Sequence, residues 1–233
     1  MSELVRYESS DGVAVITMDD GRANALSPAM QKAIHEALDW ADADAAAVVL
    51  AGRDGRFSAG FDLQVIAGGG RESADMVIGG FELALRLVER ARPTVVACTG
   101  HAMAMGAFLL LAADERIGAA GSFKIAANEV AIGMTLPYTP IELMRMRLTP
   151  SGVQRSAVLA EVFDPIGAVS VGYLDHIVDP GHVVEFARDR ALSYRQLHAR
   201  AHRETKQRVR ADLIERIRAA IEVDRADLLA ALG

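Results

Sequence analysis

Two short segments, FSAGFDL at 57–63 and TGHAMAMGAFLLLAADERIGA at 99–119, each place a turn of small residues directly before an apolar helical stretch. The first N–H groups of a helix lack intrahelical acceptors, so such a turn can aim backbone donors at an oxygen anion. Two of them suggest one oxyanion hole, which stabilises charge as it develops on a carbonyl oxygen. A third segment, FKIAANEVAIGMTLP at 123–137, carries a titratable group. Glu129 stands among Ile125, Ala126, Ala127, Val130, Ala131 and Ile132. A carboxylate in that company either reaches the surface by a turn of the chain or is desolvated and raised in pKa. On the residues alone, the surface reading is the simpler.

The elements that must position these groups alternate in type. Val13 to Met18 reads as a strand, Ser27-Pro28 as an N-cap and first turn of a helix to about Asp39, and Ala46 to Leu50 as a short buried strand. A helix from about Ser73 to Arg90, a strand from Thr94 to Thr99, a helix from about Met105 to Ala113 and a strand from Arg116 to Ala119 follow. Strands alternating with helices predict an α/β fold. Gly68-Gly69-Gly70 reads as a flexible loop, and no repeat is visible at the level of residue identity. From about His182 the pattern becomes helical, with Val183, Phe186, Tyr194, Leu197, Ile214, Ile217 and Ile221 as an apolar stripe.

Composition excludes several classes. The chain of 233 residues is 51% hydrophobic, enough for a substantial core. Its longest apolar run, around Ala102 to Ala113, is too short to span a bilayer, and Met1-Ser2-Glu3 leads into no apolar signal segment. The lone Cys98 reads as a small buried hydrophobe in a reducing compartment, which predicts a cytoplasmic location. Arg188 to Arg218 holds ten Lys/Arg against four Asp/Glu in a chain of net charge −6. A solvated helix face is the simplest reading; the sharper one has arginines meeting a neighbouring subunit or ligand phosphates. The acidic total and the lack of interleaved aromatics argue against nucleic acid. The histidines show no ligand spacing, so no metal is expected; Asp62 reads as a helix cap, Asp114 and Glu115 as structural, and Glu142 as a weak candidate for a displaced second acid.

In order and spacing, FSAGFD, GHAMAMG and NEVAIG resemble the enoyl-CoA hydratase/isomerase (crotonase) superfamily. The N-E followed by I-G-M-T-L-P is similar to the corresponding run of mitochondrial-type Δ3,Δ2-enoyl-CoA isomerases. The resemblance covers most of residues 3–180. It implies a crotonase-like spiral of repeated ββα units over 1–180, and a helical region over 181–233 that covers the active site and builds a homotrimer or dimer of trimers. It further implies that the Phe61 and Met105 N–H groups hold the thioester oxygen of an acyl-CoA, and that Glu129 is the catalytic base. Arg22 and Ala25, within RANAL at 22–26, would lie beside the adenosine and phosphates, and Ala59 would offer its carbonyl to the adenine amino group. Met105, Phe108, Met134, Leu136 and Tyr138 would line the acyl pocket. Coenzyme A then enters as part of the substrate, with no bound cofactor.

The departures from the family pattern select the reaction. Hydratases carry a second Glu where Phe108 stands, and a Gly that helps hold the attacking water where Tyr138 stands. Adding water in one concerted step takes two carboxylates, whereas one suffices to move a proton between two carbons of one substrate. The resemblance therefore implies a shift of the double bond from 3-enoyl-CoA to 2-trans-enoyl-CoA, of the kind used in fatty acid β-oxidation. An enoyl-CoA hydratase and a non-catalytic acyl-CoA-binding homologue are the alternatives. Met105 stands where Gly is usual; it keeps the amide and adds a side chain near the acyl group.

Overall fold

The computed structural model describes residues 3–44 and 47–232. Ahead of the expected strand Val13–Met18 (β2) runs another, Val5–Ser10 (β1), joined to it by Asp11-Gly12 with both residues at positive φ, 52° and 69°. That turn chemistry has the twist of a tight antiparallel hairpin. Ser27 caps α1 (Pro28–Ala43) by accepting from the Met30 N–H, and the helix runs a turn past Asp39 because Ala41 is buried with Leu38 and Ile34. β3 (Ala47–Ala51) occupies the place expected for 46–50; Met1, Ser2, Ala45, Ala46 and Gly233 lie outside the described residues.

From β3 onward one unit recurs with different residues. A fully buried strand is followed by a short strand of a second sheet and then by helix. The first unit is β3, β4 (Gly55–Ser58), α2 (Leu63–Gly68) and α3 (Gly70–Glu89); the second is β5 (Thr94–Cys98), β6 (Gly100–Met103) and α4 (Met105–Ala112). The third is β7 (Glu115–Ala119), β8 (Ile125–Ala126) and α5 (Tyr138–Arg147). The main sheet has the order β1-β2-β3-β5-β7-β9, parallel from β2 on and ending in β9 (His176–Val178); β4-β6-β8 form a separate parallel sheet. Burial on both faces explains the Val- and Ala-rich runs of β3 and β5. This is the α/β spiral of ββα units that the resemblance implies. Gly68–Gly70 form a joint rather than a flexible loop: Gly68 ends α2, and Gly69 and Gly70, at φ 62° and 69°, turn the chain straight into α3.

Two short helices, α6 (Pro150–Val153) and α7 (Pro165–Val171), lead into β9, and α8 (Val183–Tyr194) and α9 (Ala199–Ala230) follow. α8 lies on the main sheet, with Val183, Ala187 and Ala191 buried beside Val49, Val95 and Ile117. α9 lies along α3 and α5 and buries Leu213, Ile217 and Ile221, while Phe186 and Leu197 of the same stripe stay exposed. Much of the basic segment is neutralised within the chain. Arg188 meets Asp11, Arg190 meets Glu115, Lys206 and Arg210 both meet Asp114, Arg216 meets Glu142 and Arg218 meets Glu89. Lys206 and Arg210 are buried against Asp114, whereas Arg216 and Arg218 stay more than half exposed on the solvated face of α9.

α9 also caps α5. Asp224, 3% exposed, accepts from the N–H groups of Tyr138 and Thr139, each at 2.8 Å. Asp224→Ala strands both donors, at a cost of about 2–3 kcal/mol. For a domain of this size we expect the melting temperature to fall by about 5–10 °C. Scanning calorimetry checks this, and an unchanged midpoint would mean that the cap contributes nothing.

Candidate active site

The register of the small sheet assembles the site. Ser58 of β4 pairs with Ala102 of β6, and Ala102 with Ile125 of β8, all in parallel. Three residues past these partners come Phe61, Met105 and Asn128, with Glu129 next. The two turns and the carboxylate thus leave side by side from the carboxyl ends of adjacent parallel strands, where α/β sheets bind their ligands. These strands are four, four and two residues long.

The turns are in contact. A Cβ on Gly60, whose φ is +91°, would lie 2.9 Å from the Ala104 Cβ, 3.0 Å from the Met103 carbonyl oxygen and 3.3 Å from the Met105 nitrogen. Neither the Phe61 N–H nor the Met105 N–H has an acceptor among the described residues, so both remain free to donate. Ala104 holds φ 48° and ψ −124°, which a side chain occupies only when the surroundings over-determine it. Its N–H donates to the Ala126 carbonyl at 2.8 Å, and its carbonyl accepts from Ala107 at 2.9 Å. On the other turn the Ser58 hydroxyl donates to the Asn24 carbonyl at 2.7 Å and accepts from the Gly60 N–H at 3.2 Å. Behind the hole, the Phe61 ring packs edge-on against Phe81 at 6.2 Å, and Gly80 leaves room for it beside Met105.

Glu129 is 8% exposed, and its Oε2 is sealed without a hydrogen-bond partner. Burial pushes its pKa up to about 7, against the smaller opposing effect of its own N–H. The next residues, Val130–Ile132, form a 3₁₀ turn closed on the Glu129 carbonyl by Ile132 and Met134 N–H groups at 3.1 and 2.9 Å. That turn exposes Val130 and Ile132, while Ile125, Ala126 and Ala127 are buried. The surface reading is thus corrected: the turn carries its own apolar residues outward and leaves the carboxylate inside. A buried carboxyl of this kind is a competent proton acceptor near neutral pH.

The other expected residues fall into two groups. Arg22 is exposed; its carbonyl accepts from Arg53 Nε at 2.9 Å. The RANAL turn is bound to the hole, since the Leu26 N–H donates to the Gly60 carbonyl at 2.8 Å and the Ala59 N–H to the Ala23 carbonyl at 2.9 Å. Asp20 anchors Ala25 by accepting from its N–H at 3.1 Å, and the Ala59 carbonyl is left without a donor among the described residues. Asn24 is the residue the sequence reading missed: buried at φ 52°, its side-chain amide donates to the Met18, Arg56 and Phe57 carbonyls. An Asn inside a small-residue turn was the available signal.

Of the acyl-pocket residues, Met105, Phe108 and Leu136 are buried, and Met134 and Tyr138 are exposed. Met105 is fully buried, and a Cβ added to Gly80 of α3 would lie 3.6 Å from its Cγ and 2.5 Å from the Phe61 ring. Asp62 caps α2 by accepting from Gln64 at 2.8 Å, and Asp114 ties Thr94 N–H to Lys206 and Arg210. Glu142 is not a displaced acid; it is held by Arg145 at 2.6 Å and Arg216 at 2.8 Å. Among the described residues no group of three His, Cys, Asp or Glu could hold a metal ion, and no helix is long and apolar enough to cross a membrane.

Residues 8–230 match the family model for enoyl-CoA hydratase/isomerase, and the chain belongs to that family, whose members act on acyl-CoA thioesters. Among solved structures it is similar to an enoyl-CoA isomerase of Mycobacterium tuberculosis, with 48% identity, a TM-score of 0.93 and coverage of 97% of this chain and 99% of that one. An enoyl-CoA hydratase of Mycobacterium marinum matches at 46% identity and TM-score 0.93, covering 97% and 99%. Human mitochondrial Δ3,Δ2-enoyl-CoA isomerase matches at 25% identity and TM-score 0.91, covering 99% and 92%.

Proposed function

We propose that this acyl-CoA enzyme is a Δ3,Δ2-enoyl-CoA isomerase. The observation that carries the reading is a buried carboxylate with an unpartnered oxygen, Glu129, on the turn next to two free backbone donors, with Phe108 and Tyr138 where a second acid and a water-holding Gly would be needed. Ionised Glu129 removes a proton from C2 of a 3-enoyl thioester. The electrons move to the thioester oxygen, and the Phe61 and Met105 N–H groups stabilise the enolate. The same carboxyl then returns a proton at C4 on the same face, giving the 2-trans-enoyl-CoA. These steps use no resident cofactor; coenzyme A is the handle of the substrate, held by Arg22, Ala25, Ala59 and Phe61.

A second reading, hydration of 2-enoyl-CoA, is favoured by the name of the M. marinum relative. A non-catalytic binding role accounts less well for Glu129, since a binding module gains nothing from a desolvated, unpartnered carboxyl. Purified protein offered 3-enoyl-CoA and crotonyl-CoA in parallel separates them. We expect isomerisation of the former to be at least about tenfold faster in kcat/KM than hydration of the latter, a difference of about 1.4 kcal/mol in barrier. The reverse ranking makes the protein a hydratase.

The proposal extends to a cytoplasmic homotrimer or dimer of trimers. Val158, Leu159, Val162 and Ile166, at 49–75% exposure, together with Phe186 and Leu197, are the apolar surface such an assembly would cover.

A further inference from the structure

Beneath Glu129 lies polar equipment that the proton transfer above does not use. Tyr173 follows α7 and is fully buried, its ring tilted against Phe163 at 5.9 Å; its hydroxyl has no hydrogen-bond partner. Ser156, in a π turn spanning Gln154–Val158, is equally buried, and its hydroxyl is equally unpartnered. Glu129 Oε2 is the third sealed oxygen without a donor. Tyr173 is tied to the Glu129 segment through Phe163, whose N–H donates to the Ile125 carbonyl and whose carbonyl accepts from the Ile125 N–H, each at 2.9 Å, and both burial and the Glu129 charge favour the protonated phenol. Buried polar atoms are rarely left unsatisfied, and an internal water commonly supplies the missing partner.

The geometry points to Tyr173 as a positioning residue for Glu129. It donates, through one internal water shared with Ser156, to Glu129 Oε2, leaving the other carboxyl oxygen for the substrate proton. The inference rests on Glu129 being the base. Other charges around the cluster are engaged elsewhere: Arg155 with Glu161, Glu142 with Arg145 and Arg216, and Asp224 with the α5 amides. Lys124, ahead of β8, is exposed. A donor to a carboxylate stabilises its ionised form, so removing it raises the pH at which the base becomes active.

The test compares wild type, Tyr173→Phe and Ser156→Ala in two ways. In the pH profile of kcat/KM on a 3-enoyl-CoA, Tyr173→Phe should move the acid limb upward by about one unit and Ser156→Ala by less, with the rate at pH 6 falling about tenfold and the high-pH plateau by less than about threefold. A purely structural Tyr173 would lower the rate equally at every pH. Independently of turnover, titration of the ¹³C-labelled Glu129 carboxyl by NMR should show the same upward shift. If wild type lacks isomerase activity but the carboxyl shift appears, the isomerase reading fails and the coupling stands. Superimposable wild-type and Tyr173→Phe carboxyl titrations overturn the inference.

Discussion

Glu129→Gln should lower isomerase turnover by at least about three orders of magnitude while acyl-CoA affinity changes by no more than a few fold. The substitution keeps the size and burial of the side chain and removes its ability to take a proton, so the loss falls on kcat. Stability should move the other way. A carboxyl whose folded pKa is raised from 4.5 to about 7 is favoured in its neutral form, so its contribution is present at low pH and lost as the pH rises through 7. The amide carries no such penalty, and the variant should therefore melt no lower than wild type above pH 7. Single-turnover kinetics, thioester binding and calorimetry at pH 8 check the three parts together. A variant with near-wild-type turnover would remove Glu129 as the base.

Gly60→Ala should be nearly as damaging without touching any chemical group. At φ +91° an added methyl is strained by the backbone alone, and it would enter the space where the two turns meet, within 3.3 Å of Ala104, Met103 and the Met105 nitrogen. The donors must separate to admit it. Loss of one oxyanion donor typically costs on the order of 10²–10³ in rate, and we expect Gly60→Ala to fall in that range. Gly68→Ala, where an added Cβ meets nothing within 4 Å, is the matched control and should retain its rate. If Gly60→Ala turned over as fast as Gly68→Ala, the two turns would not form one hole.

What could be read in the sequence follows from where its signals are local. A helix start announces itself in adjacent residues, so Ser27-Pro28 gave α1, and small residues before apolar runs marked both donor turns. The strands that align them were hidden. β4, β6 and β8 are too short for an alternating pattern, and their residues belong to the turn motifs themselves. The recurrence of ββα units was equally invisible, since it lies in topology and the residues differ from unit to unit. Glu129 was legible as an acid in apolar company, yet its burial depends on the outward 3₁₀ turn after it, which only the fold reveals. Nothing local marks Asp224 as a cap, because its partners on α5 are more than eighty residues away. Tyr173 and Ser156 gave no signal beyond their types, because an unsatisfied hydroxyl is a property of its surroundings.

The central claim is that one carboxyl carries the proton from C2 to C4, and isotope transfer tests it most directly. A 3-enoyl-CoA carrying deuterium at C2, converted by the enzyme in ordinary water and analysed early in the reaction, should give 2-trans-enoyl-CoA with deuterium at C4 well above the solvent level. Product whose new C4 hydrogen comes wholly from solvent, formed at full rate, would mean that a separate group donates there and would contradict the single-base account.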